Sequence, residues 1–375
     1  MTYVSRFTFH VSRPPLRLLD LGFVSPLRSQ TVYHAVAYAM TDKSPDTVIM
    51  VSPNAPYVCA GYHQEVEKEI DIDFCRARGL PLYRREVGGG AVYLDGDQLF
   101  VQWVFHRDRL PSDLEARFEL YIRPLVATYR ALGVPAVHRP VNDIQVAGRK
   151  IGGAGAASIG GAEVMVGSLM FDFDRQTMAR VLKVSSEKMR DKIVESLEAY
   201  MTTLREQLGR PADREAVKTL YLRECAAALG TEIVPGDWTA DEEAMAAELD
   251  LQFDSPDWLY AGSGLRRVGV KISEGVRVVE GAYKAPGGLI RATVRLADGR
   301  AEDVAFSGDF ALLPAGALNR LAECLLGAEP RREALVPRLL EVYQAAAIQS
   351  PGVTPHDFAE AVLAAAGSDP SLPAG

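Results

Sequence analysis

The chain has 375 residues, 48% of them apolar and 24% charged, with a net charge of −8; this suits a folded protein with a full-size core, in one large domain or two ordinary ones. No apolar run approaches the roughly 18–20 residues needed to cross a bilayer, and the basic N-terminus lacks the apolar stretch and cleavage site of a secretory leader, so a cytoplasmic protein with no membrane partner is expected. The acidic balance without any Lys/Arg run argues against nucleic acid as a partner, and the scattered cysteines, Cys59, Cys75, Cys225 and Cys324, have neither zinc-site nor disulfide-framework spacing.

Residues 1–20 read as a lead-in broken by Pro14 and Pro15. Apolar residues at helical spacing in SQTVYHAVAYAM (29–40) predict a half-buried helix, and the continuous apolar run over 46–53 predicts a buried strand. YVCAGYHQ, PLYRRE and QLFVQWVF supply further strands. A helix over 116–133 contains Pro124 as a kink point and has Gly133 for its C-cap. Residues 142–155 have the pattern of two short strands around an Ala-Gly turn, followed by a mobile glycine loop. A strand over 162–174 precedes helices around 175–183 and 213–229. This mixture lacks regular βαβ alternation and predicts an α+β fold of mixed sheets flanked by helices.

TADE (239–242) has the form of a capping box opening a helix over 240–250, and SPDWLYAGSG (255–264) reads as a junction. Four strands with glycine turns are expected over 265–309, then helices over 314–326, 331–346 and 355–366. The expected division is a first domain of residues 1–253 and a small α+β domain of residues 254–375.

Two neighbourhoods carry chemistry. In Arg84-Arg85-Glu86-Val87-Gly88-Gly89-Gly90-Ala91-Val92-Tyr93-Leu94-Asp95, three consecutive glycines carry a conformational-entropy cost. They let backbone N–H groups close around an anion, with the two arginines adding charge and a fork suited to phosphate or carboxylate. The plainer alternative is a glycine-rich hairpin with two surface arginines; neither common nucleotide-binding glycine fingerprint is present. In Asn142-Asp143-Ile144-Gln145-Val146-Ala147-Gly148-Arg149-Lys150-Ile151-Gly152-Gly153-Ala154-Gly155, a lysine between a tight turn and glycines could bridge two anions as they meet; taken alone, Lys150 reads as a solvated surface lysine, and it is the pairing with the first segment that singles it out. His63, Gln64 and Asp95 lie beside the motifs and His138 close to the second, but no His/Asp/Glu group has transition-metal ligand spacing. The apolar residues of 98–105 are either ordinary core or the floor under an acyl chain.

RREVGGGAVYLD, then ND, GRKIGGAG and GSLMFDFD, together resemble the lipoate-protein ligase family, within the wider group of lipoyl and octanoyl ligases and transferases whose core is related to biotin-protein ligase. The resemblance runs from about Leu18 to Leu204 and implies ATP-dependent activation of lipoate, with Mg²⁺, to an acyl-adenylate, then transfer to a lysine of a carrier protein. It assigns Arg85, Gly89, Gly90, Ala91, Val92, Tyr93, Asn142, Asp143 and Lys150 to ATP. It assigns Arg85, Gly88, Gly89, Gly90, Lys150, Gly152 and Gly153 to the lipoyl group, with Lys150 as the catalytic residue and Asp143 as the candidate for metal or amine orientation. The implied partner is a lipoyl domain of a dehydrogenase E2, a glycine-cleavage H-type protein or a specialised lipoyl carrier, served by a monomeric enzyme.

Departures from the family pattern are Gly152-Gly153-Ala154-Gly155 in place of an SGSA-like run, Val166 in place of a histidine, and Glu198 and Tyr200 where arginines occur; the last two fall in 192–202, which aligns with the family's adenylate-associated loop. Trp258-Leu259-Tyr260 and Leu289-Ile290 resemble the accessory domain of adenylating ligases. An octanoyl or lipoyl acyltransferase is the rival within the group, but it needs a cysteine near the lysine, and none lies between Cys75 and Cys225. A non-catalytic carrier-binding scaffold would be expected to lose the lysine or the glycines, and the GRGRxGR-type motif of biotin ligase is absent.

Overall fold

The structure is a computed structural model that describes residues 14–184, 186–261 and 276–367. An eight-stranded mixed sheet runs in the order Ile233–Pro235, Leu16–Val24, Thr47–Pro53, Gln98–His106, Ala162–Met170, Arg149–Ile159, Asp143–Val146, Val137–Arg139. Leu16–Val24 pairs in parallel with both neighbours, and the other pairings are antiparallel. The supposed lead-in is therefore an inner strand from Leu16 onward. Its alternation is disguised by the irregularity between Asp20 and Gly22, where Gly22 takes φ +61°. Residues 1–13 lie outside the described residues.

Both faces of the sheet are covered, which explains why its central strands are apolar throughout. From Gln98–His106, Leu99, Val101, Trp103 and Phe105 pack against the helices Leu114–Ala131 and Arg214–Leu229, where Trp103 Nε1 donates to the Tyr221 hydroxyl at 2.9 Å. Phe100 and Val104 point the other way, towards the helix Pro26–Tyr38 and a small sheet. That sheet has Tyr57–Ala60 at its centre, parallel to Leu82–Arg84 and antiparallel to Val92–Leu94. The helix Pro26–Tyr38 is buried from Ser29 to Ala37 rather than half-buried, because the helix Ala240–Phe253 covers its outer side through Ala246, Leu249 and Phe253.

The expected capping box closes at Thr239: its hydroxyl accepts from Glu242 N (3.2 Å), while Glu242 Oε2 accepts from Thr239 N (2.9 Å). Glu242 also receives the guanidinium of Arg17, both side chains being buried. This pair ties the inner strand to the helix at the far end of the first body.

Three of the strands expected over 265–309 are described, Val276–Ala285, Gly288–Ala297 and Arg300–Gly308, in one antiparallel sheet; the remainder falls in 262–275, outside the described residues. The helices Ala317–Glu323, Arg332–Ala345 and Pro355–Gly367 complete this C-terminal body around its own core. It docks on the first body beside the triple glycine. Gly308 N donates to His63 O (2.9 Å), Gly89 N to Phe310 O (3.3 Å) and Ser307 Oγ to Glu65 Oε1 (2.7 Å), and ion pairs join Lys68 to Glu280 (2.6 Å) and Arg291 to Glu69 (2.9 Å). No helix among the described residues is long and apolar enough to cross a membrane.

Removing one partner of the Arg17–Glu242 pair leaves a buried charge unpaired. Glu242→Ala is expected to lower the unfolding free energy by about 3–5 kcal/mol, read from the midpoint of urea denaturation; a change below about 1 kcal/mol would show that water compensates the arginine.

Candidate active site

A cavity of about 700 Å³ opens between the large sheet, the glycine loop and the C-terminal body. Every residue that the resemblance assigned to the nucleotide or the lipoyl group lines it: Arg85, Gly88, Gly89, Gly90, Ala91, Val92 and Tyr93 on one side, Asn142, Asp143, Lys150, Gly152 and Gly153 on the other. The chain places these segments in different sheets and brings them face to face.

The glycine loop joins Leu82–Arg84 to Val92–Leu94, which pair on opposite edges of Tyr57–Ala60, so it is a crossover and not a hairpin. Close backbone approach accounts for its composition. A Cβ on Gly61 would lie 1.8 Å from Gly89 O, one on Gly88 would lie 2.6 Å from Phe310 O, and Gly89 itself has φ +95°. Arg85 holds the loop from inside, with Nη1 donating to Cys59 O (3.1 Å) and Nη2 to Gly88 O (3.0 Å) and Gly90 O (2.9 Å).

Arg84 does not join Arg85 in the cavity. It is buried, donating from Nη1 to Tyr62 O and Gln64 O (both 2.8 Å) and from Nε to Leu259 O (3.0 Å). Nη1 and Nε are spent on carbonyls that strand pairing leaves unsatisfied, while Nη2 is buried without a partner. The expectation that both arginines serve a ligand is corrected on this point.

On the facing side, Lys150 is the second residue of the strand Arg149–Ile159, and Gly152, Gly153 and Gly155 lie within that strand. The mobile loop expected after the lysine is thus regular β-structure. Its glycines provide room: a Cβ on Gly153 would come within 3.1 Å of Lys150 Nζ, and one on Gly155 within 2.5 Å of Val87 Cγ1. The Ala-Gly turn before it is present, with Ala147 and Gly148 at φ 49° and 81°. Lys150 Nζ pairs with Asp143 Oδ1 at 2.7 Å. Asn142 Nδ2 donates to Ala154 O (2.6 Å) and Ala154 N to Asn142 O (2.9 Å), locking the two segments together.

Residues 192–202, aligned with a loop, mostly form the end of the helix Glu187–Tyr200, which brings Leu197, Tyr200 and Met201 to the cavity wall. The Tyr200 hydroxyl donates to Asp143 Oδ2 at 2.9 Å. The C-terminal body supplies Pro286, Gly287, Asp309, Ala311 and Pro351. Nothing in their sequence marks them, since they come from turns that reach the site only through the docking of the two bodies. Phe100 and Gln102 also line the cavity, while Leu99, Val101 and Trp103 of the same strand are core, so the strand 98–106 serves both roles.

Among the weighed residues, His63 is half-buried, stacked on Phe310 at 5.3 Å and absent from the cavity wall. His138 Nε2 contacts Val141 O (2.9 Å), and Gln64 Oε1 accepts from Gly61 N (3.0 Å). Burial pushes the Asp95 carboxyl up to about 6, away from the cavity lining. No group of three or more His, Cys, Asp or Glu among the described residues is placed to hold a metal ion. No cysteine lines the cavity: Cys59, Cys75 and Cys225 are buried, and burial raises all four thiols, Cys75 and Cys324 to about 11 and Cys225 to about 12.

Residues 26–226 match the model of the lipoyl protein ligase A/B catalytic domain. The chain belongs to this family. The octanoyltransferase LipM of Moorella thermoacetica is 28% identical over 266 residues, covering 65% of this chain and 97% of that protein. The lipoate-protein ligase A subunit 1 of Thermoplasma acidophilum is 29% identical over 253 residues, covering 64% of this chain and 95% of that protein. A structure from a study of the bi-partite lipoate protein ligase of T. acidophilum and its E2 lipoyl domain superposes with a TM-score of 0.61 at 26% identity, over 69% of this chain and 100% of that one. The family therefore holds both ligases and octanoyltransferases, and in each of these comparisons about a third of this chain lies outside the match.

Two expected outcomes test the loop and its support. Gly61→Ala forces Gly89 O away, and faster hydrogen exchange is expected for the amides of 86–92; unchanged exchange would mean that the strand shifts instead. Burial holds the His63 imidazole down to about 4, below its unfolded value of about 6.5. The unfolded chain therefore binds more protons between these values, and stability falls as pH drops through this window. His63→Gln is expected to flatten that part of the urea-midpoint profile, and an unaltered slope would assign the acid sensitivity elsewhere.

Proposed function

We propose that this protein is an ATP-dependent lipoate-protein ligase: it converts lipoate, or a close medium-chain analogue, to the acyl-adenylate and passes the acyl group to a lysine of a lipoyl carrier. The observation that carries this reading is a cavity holding a lysine opposite a glycine loop with no thiol in its wall. An acyltransferase working through a thioester needs a thiolate within reach of the acyl group, and the cysteines here are kept protonated by burial.

Cavity dimensions support a medium-chain acid. Gly153 lies beside the Lys150 ammonium, and Gly155, two residues along, pairs across Val166 with Gln102. Two residues along the strand and two strands across amount to roughly 12 Å, at about 3.3 Å per residue and about 4.8 Å per strand, the reach of an eight-carbon chain. Val87, Phe100 and Val166 give that path apolar walls.

In the first step the acid's carboxylate attacks the α-phosphorus of ATP and pyrophosphate leaves. Anion meets anion, and the Lys150 ammonium, next to Gly153, is the cation placed to lie between them. The loop Gly88–Tyr93, its carbonyls drawn inward by Arg85, borders the nucleotide. Mg²⁺ would arrive with the ATP phosphates, keeping most of its ligands as phosphate and water, since both oxygens of Asp143 are engaged by Lys150 and Tyr200. In the second step the carrier's amine attacks the mixed anhydride and AMP leaves. The docked C-terminal body, which adds Asp309 and Pro351 to the wall, shields that anhydride from water. The carrier is a lipoyl domain, in keeping with the E2 lipoyl domain studied with the Thermoplasma ligase.

Pyrophosphate exchange into ATP, with lipoate, octanoate and biotin in turn, tests the reading. Exchange dependent on lipoate or octanoate is expected, and Lys150→Ala should reduce it about 100-fold or more. If no acid supports exchange, and an acylated carrier instead leaves its acyl group on Cys59 as a mass increment, the protein is a transferase.

A further inference from the structure

The carboxylate of Asp143 is held at both oxygens. Oδ1 takes the Lys150 ammonium at 2.7 Å, and Oδ2 takes the Tyr200 hydroxyl at 2.9 Å. Gln145 and Arg139 are the other polar neighbours of that phenol. Tyr200 is 45% exposed at the cavity mouth, yet its backbone is well anchored. Met201 forms a parallel bridge to Lys150, Thr202 N donates to Lys150 O (2.8 Å), and Met201 O accepts from Arg175 Nη2 (3.1 Å). The tyrosine therefore keeps a fixed position relative to the lysine strand.

When a substrate carboxylate and phosphate draw the Lys150 ammonium into the cavity, Asp143 loses its cation but keeps the Tyr200 hydrogen bond. A carboxylate with one oxygen freed then stands at the entrance through which a second lysine has to come. We propose that Tyr200 is a positioning residue for acyl transfer, holding Asp143 so that its vacated oxygen receives the ε-ammonium of the carrier lysine. The inference rests on the ligase reading above.

The step balances without a further reagent. The ammonium gives one proton to water, and the resulting amine, hydrogen-bonded to Asp143, forms its N–C bond to the acyl carbon. The bond between that carbon and the phosphate oxygen breaks with its electron pair on AMP, and the second amine proton passes to Asp143 and on to water. Adenylation has no such requirement, because no amine takes part in it.

The test separates the two steps in the full-length protein carrying Tyr200→Phe. Adenylation is followed by pyrophosphate exchange. Transfer from pre-formed acyl-adenylate is followed to an E2 lipoyl domain and, separately, to hydroxylamine, a neutral nucleophile that needs no carboxylate to receive it. Loss of one charge-assisted hydrogen bond is expected to slow transfer to the lipoyl domain about tenfold relative to adenylation, with trapping by hydroxylamine far less affected. Proportional losses in exchange, lipoyl transfer and hydroxylamine trapping would make Tyr200 a structural residue, and equal rates in variant and wild type would also overturn the proposal. Absence of acid-dependent exchange in the wild type would sink the ligase reading itself, an outcome distinct from exchange without a split.

Discussion

The fold around the cavity depends on backbone carbonyls that regular pairing does not satisfy. The small sheet ends in a turn at Gly61–Gln64 and a glycine crossover at Gly88–Gly90, packed so tightly that neither Gly61 nor Gly88 has room for a Cβ. Two adjacent guanidiniums resolve this, Arg84 taking the turn and the segment at Leu259, Arg85 taking the crossover. Buried polar groups left unpaired cost about 1–3 kcal/mol each, so several contacts of this kind decide whether the loop has one conformation. Lysine would not replace Arg85, whose two terminal nitrogens reach Cys59 O on one side and Gly88 O and Gly90 O on the other.

A second level of organisation grows from the first. A crossover held from within leaves its outer edge to two neighbours, the lysine strand on one side and the C-terminal body on the other. Gly155 fits against Val87, and Gly88 fits against Phe310. The same short segment is thus a wall of the cavity and the seat of the docked body, so a change in the loop is felt in both places. His63, stacked on Phe310, extends this seat with a ring whose burial keeps it neutral.

The sequence conveyed the lining of the cavity better than the fold around it. Motif residues were legible because their types are chemically unusual: a triple glycine, paired arginines, a lysine flanked by glycines. The capping box at Thr239 and the helix ending at Gly230 were legible because capping is local. Leu16–Val24 was hidden by its irregularity at Asp20–Gly22, and the strand after Lys150 by glycines that normally weaken strands but here make space for Val87 and the lysine stem. Arg84 shows the limit of reading charge from sequence, since nothing local separates a guanidinium that meets carbonyls from one that meets a ligand. The contributions of Asp309, Pro351 and Pro286 follow only from the packing of distant segments.

The family match spans 26–226, but the folding unit around it is wider. Leu16–Val24 precedes those bounds, its edge partner Ile233–Pro235 follows them, and Glu242, which neutralises Arg17, lies farther on still. Trp258 Nε1 reaches back to Arg84 O at 2.9 Å. A fragment excised at the family limits would expose the flank of Thr47–Pro53 and open an apolar wound along the helix Pro26–Tyr38. The packing around the family match thus extends from Leu16 to Trp258, its two ends joined where Arg17 meets Glu242, so that the beginning and end of this body act as one seam.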